Sequence, residues 1–402
     1  MARGNPLTSY DEWQHPPPMQ LTADQTAIRS LARDFARGEI APFAAQWDRD
    51  ASFPLATIRK MAEIGLLGMT APGDFGGSDA DAVSLAIAIE EIARADASCA
   101  LVLSMANSLS ILSLMRFGTA AQRAQWLPGI VSGECLACFT LTEPQAGSNP
   151  AAMQSVAERK GGSYILRGTK QFVSLGSVSR LAFVFALTDP AAGSKGISCF
   201  LVPTDAKGFR VIRKEDKLGL RASDTCQIAF DDVEIEPAQL LGNPGEGYRI
   251  ALHGLGASRI GVAAQAVGVA AAALHEASAY ARERASFGSR LIEHQAIAFR
   301  LADMATQIQS ARLLTHHAAS LKDRGEPYAI ASSMAKLHAA EMCERVCSGA
   351  IQVFGGNGYM KDYPVERWYR DARVFQIYEG TSEVQRMIIS RAIAGDALPE
   401  GL

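Results

Sequence analysis

The sequence predicts a mainly α-helical chain with a central β domain: an N-terminal helical domain, a middle β-barrel or sandwich, and a C-terminal four-helix bundle. Two changes of hydrophobic period predict it. Helical spacing runs from about Thr22 to Ser132, gives way to alternation of period two between Cys135 and about Leu241, and returns after LGNPGEG. The third observation is the lack of proline between Pro244 and Pro327, which leaves room for long uninterrupted helices. Residues 1–20 then form a flexible leader ending in Pro16, Pro17 and Pro18. The domains span 21–134, 135–243 and 244–402.

Each element has its own local signal. In QTAIRSLARDFARGEIAPFAAQW, Ile28, Leu31, Phe35 and Ile40 make one apolar stripe, and Thr22 with Gln25 makes a capping box. APGDFGG at 71–77 breaks the helical pattern before AVSLAIAIEEIARAD resumes it. The runs CFTLTE, YILRGTKQFVS, RLAFVFALT, ISCFLVPT and CQIAFDDVEI are rich in β-formers and separated by Gly, Asp and Pro. In the last, Cys226, Ile228 and Phe230 alternate with Gln227 and Ala229, as expected of antiparallel strands. The run GVAAQAVGVAAAALHEASAYARERASFG carries small residues on more than one side, which suits a bundle helix packed on several neighbours and also subunit contacts.

Composition removes several classes of function. With 48% hydrophobic and 20% charged residues and a net charge of −3, the chain has no general affinity for nucleic acid or membrane surfaces. No apolar run in the sequence reaches the length of a membrane span, and the leader lacks a hydrophobic core, with Asp11 and Glu12 against a transit peptide. A cytoplasmic location is the expectation. The seven cysteines are scattered and odd in number, so a disulfide framework is not expected. Cys135 and Cys138 form a C-x-x-C without partners for a zinc site, and read as small buried hydrophobes; no metal is expected. His316 and His317 are adjacent on a helix and diverge, which makes them solvated or packing residues rather than ligands. There is no P-loop, no G-x-G-x-x-G after a strand and no G-x-S-x-G.

One stretch is unusual. In QIYEGTSEVQRMI, Glu379 stands between Tyr378 and Gly380 with no basic residue beside it. That setting suits a carboxylate held partly out of water with a raised pKa, as a general base requires. It equally suits an acidic residue in the first turn of a helix.

Several stretches together resemble the acyl-CoA dehydrogenase family over nearly the whole chain. They are FPLATIRKMAEIGLLGMTAPGDFGG, CFTLTEPQAGSN, GTKQFVSLG, KLGLRASDTCQIAFDDVEI, YARERASFGSRLIEHQ, LADM, QVFGGNGYMKDYPVERWYRDAR and IYEGTSEVQR, in that order. The resemblance implies a flavoprotein that holds FAD without a Rossmann motif, dehydrogenates an acyl-CoA at its α and β carbons and passes electrons to electron-transferring flavoprotein. A homotetramer with FAD contacts across subunits is implied as well.

The resemblance also implies roles. Glu379 matches the family's general base, the β hydrogen leaving as hydride to the flavin, and Gly380 leaves room for the thioester. Phe139, Leu141, Thr142 and Ser148 match the segment along the flavin ring, with Ser148 also facing the CoA chain. Phe172, Val173 and Ser174 match a triplet usually Trp, Ile and Thr; an aromatic face and a hydroxyl survive the change. Arg284, Ser286, Phe287, Gln295, Gln352, Val353, Phe354, Gly355 and Gly356 match contacts to the FAD of a neighbouring subunit, Arg284 on its pyrophosphate. Thr381, Ser382 and Glu383 complete the adenosine end. Arg259 matches an arginine near substrate and base, with a structural ion pair as the competing reading.

The departures also carry meaning. Gly256 stands where many relatives have an aspartate that contacts pantetheine, and Asn149 replaces a frequent aspartate. Some branches carry the base on an earlier helix, at the position that is Ser258 here. ADASCALVLSMANSLS lacks the arginine that glutaryl-type enzymes use for a second carboxylate, and the pattern looks most like the short-chain, butyryl type. A short or branched acyl-CoA is therefore expected. A flavin-dependent oxidase or monooxygenase, or a non-catalytic acyl-CoA-binding relative, are the alternatives on the same scaffold.

Overall fold

The structure, a computed structural model, describes residues 21–395; the expected leader lies outside them. Helix α1 (Ala23–Phe35) begins at the Thr22–Gln25 capping box, with both reciprocal hydrogen bonds formed. Its buried stripe differs from the expected one. Ala32, Phe35 and Ile40 are buried, whereas Leu31 is 43% exposed. A π-helical turn at Ala36–Ile40 shifts the phase before α2 (Ala41–Asp50), so the core-facing positions do not follow one straight helical stripe.

After α3 (Leu55–Glu63) come α4 (Ala82–Ala95) and α5 (Ala97–Ser104). The latter continues through a π-helical turn into α6 (Leu112–Phe117), and α7 (Ala120–Val131) closes the helical region. The C-terminal region holds α8 (Gly247–Glu283), α9 (Gln295–Asp323), α10 (Ala329–Phe354), α11 (Val365–Ala372) and α12 (Ser382–Ala394). Helix α8 packs on α10, α9 and α4, so the N-terminal helices join the C-terminal bundle in one core. Close approach depends on small residues: a Cβ at Gly261 would lie 2.2 Å from Ser104 Oγ, and one at Gly268 2.3 Å from the Glu90 carbonyl oxygen. Two helical stretches, Ala97–Phe117 and Gly247–Glu283, are long and apolar enough to span a membrane, which corrects the sequence expectation. Both are buried inside the fold, where their apolar surface serves packing.

Between the helical regions lie eight strands: β1 (Ala137–Thr140), β2 (Val156–Lys160), β3 (Ser163–Ser174), β4 (Leu181–Leu187), β5 (Ile197–Pro203), β6 (Phe209–Lys214), β7 (Thr225–Ile235) and β8 (Leu240–Leu241). They form one sheet in the order β6-β7-β3-β2-β4-β5-β8, with β1 joined to β4. The sheet is mixed rather than wholly antiparallel, because β1 and β2 each pair parallel with β4. Parallel pairing needs a connection longer than a hairpin, and the β2–β3 hairpin lies between β1 and β4. Cys226, Ile228 and Phe230 are buried as their alternation predicts, although Ala229 between them is buried as well.

Two buried ion pairs tie these parts together. Lys170, at an inward position of β3, donates to Glu143 Oε1 at 2.8 Å and to the Leu141 carbonyl at 3.3 Å. Arg312 of α9 grips Glu90 of α4, with Nη2 2.6 Å from Oε1. Burial pushes the Glu90 carboxyl up, but the Arg312 guanidinium outweighs it and holds the group at about 2. His316 beside them is buried and pushed down to about 4, while His317 is exposed. All seven cysteines are free and buried, and burial raises Cys135 to about 11 and Cys138 to about 12.

Arg312→Met should destabilise the protein by about 3–5 kcal/mol, because it strands a buried carboxylate. Arg312→Met with Glu90→Gln should recover part of that loss in thermal melts. Since the folded carboxyl titrates below its usual 4.5, the pair's contribution is present above about pH 4.5 and fades as pH falls toward about 2. The pH dependence of melting should flatten in the double variant.

Candidate active site

The site is built around a backbone turn. Between α11 and α12 the chain places Glu379 at φ 55° and Gly380 at φ 90°, two consecutive left-handed residues. Left-handed backbone is uncommon for a glutamate and persists where surroundings enforce it. Here they do. Lys336 Nζ of α10 donates to the Gly380 carbonyl at 2.7 Å, and Gln385 Nε2 donates to the same oxygen at 2.9 Å. Thr381 caps α12, its hydroxyl accepting the Val384 N–H, and Tyr378 donates to Gln265 Oε1 at 2.9 Å. Gly380 is required by this geometry, since a Cβ there would meet Gln385 Nε2 at 2.7 Å. Ser382 is buried and Glu383 exposed in the first turn of α12.

The turn aims the Glu379 side chain at α8. Ser258 Oγ donates to Glu379 Oε2 at 2.8 Å. Burial raises the proton affinity of Glu379 above the usual carboxylate value, opposed in turn by the Ser258 hydrogen bond, Arg259 and Lys336. Burial likewise lowers Lys336 to about 7 and Arg259 to about 10, in both cases against the pull of Glu379. The structural ion pair considered for Arg259 is not formed among the described residues: its Nη1 lies 3.5 Å from Ser333 Oγ and its Nε has no hydrogen-bond partner. Gly256 is buried two residues before Ser258. A carboxylate with raised proton affinity, flanked by two cations and a hydroxyl, can accept a proton from a weak carbon acid and shield the charge that results.

The sheet supplies a second candidate surface. The Gln171 N–H donates to the Thr142 carbonyl at 2.9 Å, which brings Phe172 next to Thr142 across a long stretch of sequence. Phe172 occupies the irregularity between Lys170 and Val173, at φ 57°, and is 62% exposed. A bulge that turns an aromatic face outward from a sheet is a local feature that serves a ligand better than a core. Val173 is core and Ser174 half-buried. Leu141 is buried, held through its carbonyl by Lys170, and Ser148 is exposed in the following turn. Phe139 packs tilted against Phe185, with ring centroids 4.6 Å apart, and reaches the Gly254 turn of α8, so it links the sheet to the helix that carries Ser258. A flat conjugated ring fits this surface.

The remaining predicted residues gather at one end of the bundle. Arg284 ends α8 and opens a short hairpin, Ala285–Ser286 paired with Ser289–Arg290. Its turn residues, Phe287 and Gly288, both have positive φ, as a two-residue hairpin turn demands, and Phe287 is 98% exposed. His294 Nε2 lies 3.0 Å from the Ser286 carbonyl, which sets Gln295 at the exposed start of α9. Gln352, Gly355 and Gly356 are exposed where α10 ends, while Val353 and Phe354 are buried. Phe354 stacks on Tyr280 at 4.2 Å, and Asn357 donates to the Tyr280 hydroxyl at 2.8 Å. Within the described residues no hydrogen bond or ring contact joins this end to Thr142 or Phe172.

Sequence reasoning missed Lys336, Gln385 and the Glu143–Lys170 pair. Lys336 was visible as a lone cation in the apolar run SSMAKLHAA, and Lys170 as a cation at the inward parity of Tyr164 and Leu166.

A mixed sheet between two helical regions, with Glu379 held on a left-handed turn against Ser258 of α8, defines the fold and its site. Residues 22–134, 138–233 and 245–394 match the N-terminal, middle and C-terminal domains of acyl-CoA dehydrogenase. The chain is 45% identical over 372 residues to the short-chain specific acyl-CoA dehydrogenase, mitochondrial, of Mus musculus, covering 92% of this chain and 90% of that one. It superposes on butyryl-CoA dehydrogenase from Megasphaera elsdenii with a TM-score of 0.92 at 39% identity, covering 94% and 99% of the two chains. A chain in the structure of the electron transferring flavoprotein of Acidaminococcus fermentans matches with a TM-score of 0.93 at 42% identity, covering 94% and 100%. The chain belongs to the acyl-CoA dehydrogenase family.

Gly380→Ala should cost about 1–3 kcal/mol through the left-handed backbone and the clash with Gln385. Gly162→Ala, where an added Cβ meets nothing within 4 Å, is the control. A lower melting temperature in the first and not the second is the expected result.

Proposed function

We propose that this enzyme uses FAD to dehydrogenate a short or branched acyl-CoA thioester to the 2-enoyl-CoA, with electron-transferring flavoprotein as acceptor. The observation that carries the reading is the half-buried Glu379 carboxyl, held by Ser258 and of raised proton affinity. An α proton of a thioester is a weak acid, and a carboxylate in water would be too weak a base for it. Desolvation strengthens Glu379, and the backbone turn fixes its direction. Glu379 takes the α proton, while Arg259 and Lys336 contribute positive field around the carboxyl before transfer. FAD, when bound, supplies the two-electron acceptor for the hydrogen that leaves the β carbon.

Phe172, Thr142, Leu141, Phe139, Val173 and Ser174 would hold the flavin ring, and Ser148 the pyrophosphate side and the CoA chain. Gly256, Arg259 and Gly380 would face the substrate. Arg284, Ser286, Phe287, Gln295 and Gln352 to Gly356, with Thr381, Ser382 and Glu383, would hold the rest of the cofactor. The bundle-end residues would come from a second copy, in a homotetramer. The short-chain preference is supported by the mouse and Megasphaera relatives. The choice of acceptor is supported by the Acidaminococcus structure.

Anaerobic titration with a panel of acyl-CoAs tests the reading directly. Bleaching of the flavin by four-carbon or branched chains is the expected result; a flavin that no acyl-CoA reduces would overturn it. Glu379→Gln should retain FAD and bind acyl-CoA while losing flavin reduction by several orders of magnitude. Because Glu379 works ionised and titrates above the usual carboxylate value, reduction by substrate should slow as pH falls through that raised pKa. Stopped-flow rates across pH check the direction.

A further inference from the structure

Ser258 has a hydroxyl with two acceptors and one proton. Glu379 Oε2 lies at 2.8 Å and the Leu255 carbonyl, one turn back on α8, at 3.2 Å. Among the described residues Glu379 Oε1 accepts no hydrogen bond, so the two carboxylate oxygens are unlike. Ser258 is buried, and water does not compete freely for its proton.

We propose that Ser258 is a positioning residue for the base: its hydroxyl occupies Glu379 Oε2 while the carboxylate is ionised, leaving Oε1 to take the α proton, and turns toward the Leu255 carbonyl once Glu379 is neutral. The proposal rests on Glu379 being the base. The α proton moves from the substrate carbon to Oε1, and the serine keeps its own proton throughout. A carboxylate is a far stronger acceptor than a carboxylic acid, which gives the rotation its direction. The carbonyl of Leu255 prevents the freed hydroxyl from being left buried without an acceptor.

The consequence is a base held at a set strength. A hydrogen bond to the ionised form lowers a carboxyl's pKa, so removing it makes Glu379 a stronger base that is ionised over a narrower pH range. The other groups facing the carboxyl are Arg259 on α8, Lys336 on α10 and Tyr378 on the turn, with Tyr328 near Arg259, and Glu341 and Glu383 near Lys336. Among the described residues none of them hydrogen-bonds the Ser258 hydroxyl.

The experiment is the pH profile of flavin reduction by butyryl-CoA, followed anaerobically in the holoenzyme. Ser258→Ala and Ser258→Gly should each move the controlling pKa up by about one unit, with rates about tenfold lower on the acid side. Ser258→Thr, which keeps the hydroxyl, should restore the wild-type profile. A purely structural role would lower flavin content or the rate plateau without moving the pKa, and an unmoved pKa in both variants would overturn the proposal. Glu379→Gln is run alongside. If it is inactive and the Ser258 variants keep the wild-type pKa, only the Ser258 proposal falls. If it still reduces flavin, the base assignment falls and Ser258 loses its role with it.

Discussion

A carboxylate withdrawn from water, yet kept within reach of two cations and a hydroxyl, is the constraint around which the rest of this structure is arranged. Desolvation alone would push Glu379 further toward its protonated form, which cannot act as a base. Opposing charge alone would make it too weak to take a carbon-bound proton. The balance depends on three elements distant in sequence: α8 brings Ser258 and Arg259, α10 brings Lys336, and the turn before α12 brings Glu379 itself. Lys336 serves twice, since its ammonium contributes field to the carboxyl and its hydrogen bond fixes the carbonyl of the next residue.

Holding such a turn requires helices that approach closely and do not slide. The small residues of α8 permit that approach, and the Glu90–Arg312 pair ties α4 to α9 across the same core. The sheet is joined to this framework through Phe139, which packs against the Phe183 and Phe185 rings and reaches the α8 turn at Gly254. Under the sheet surface, the Glu143–Lys170 pair plays the equivalent part. Glu143 accepts the backbone N–H groups of Gln154 and Ser155 while Lys170 holds the Leu141 carbonyl, so the segment that would line the flavin is fixed from behind. The two exposed aromatics at positive φ, Phe172 and Phe287, are then strained features on rigid supports.

Local chemistry was legible in the sequence, and long-range geometry was not. Thr22 with Gln25 announced a capping box because both partners lie within one turn. Cys226, Ile228 and Phe230 announced an inward face because strand parity is local. The parallel pairing of β1 with β4 could not be read, since register across such a separation depends on the whole sheet. Leu31 was misassigned because Ala32, one position on in the same helix, takes the inward place, and which face of α1 meets a neighbour is not fixed by residue size. In the site, Glu379 stood out through its setting between Tyr378 and Gly380. Lys336 did not, because a lysine in an apolar helix is interpretable only once the carbonyl it serves is known. Ser258 was visible as a position and not as a donor, for the same reason.

The most direct test is titration of the Glu379 carboxyl itself, by infrared difference spectroscopy of the substrate-free holoenzyme against Glu379→Gln. The account predicts a carboxyl band assigned to Glu379 that titrates above the usual value of 4.5, because burial outweighs the charges that face it. A midpoint at or below that value would contradict the claim that desolvation sets the strength of this base.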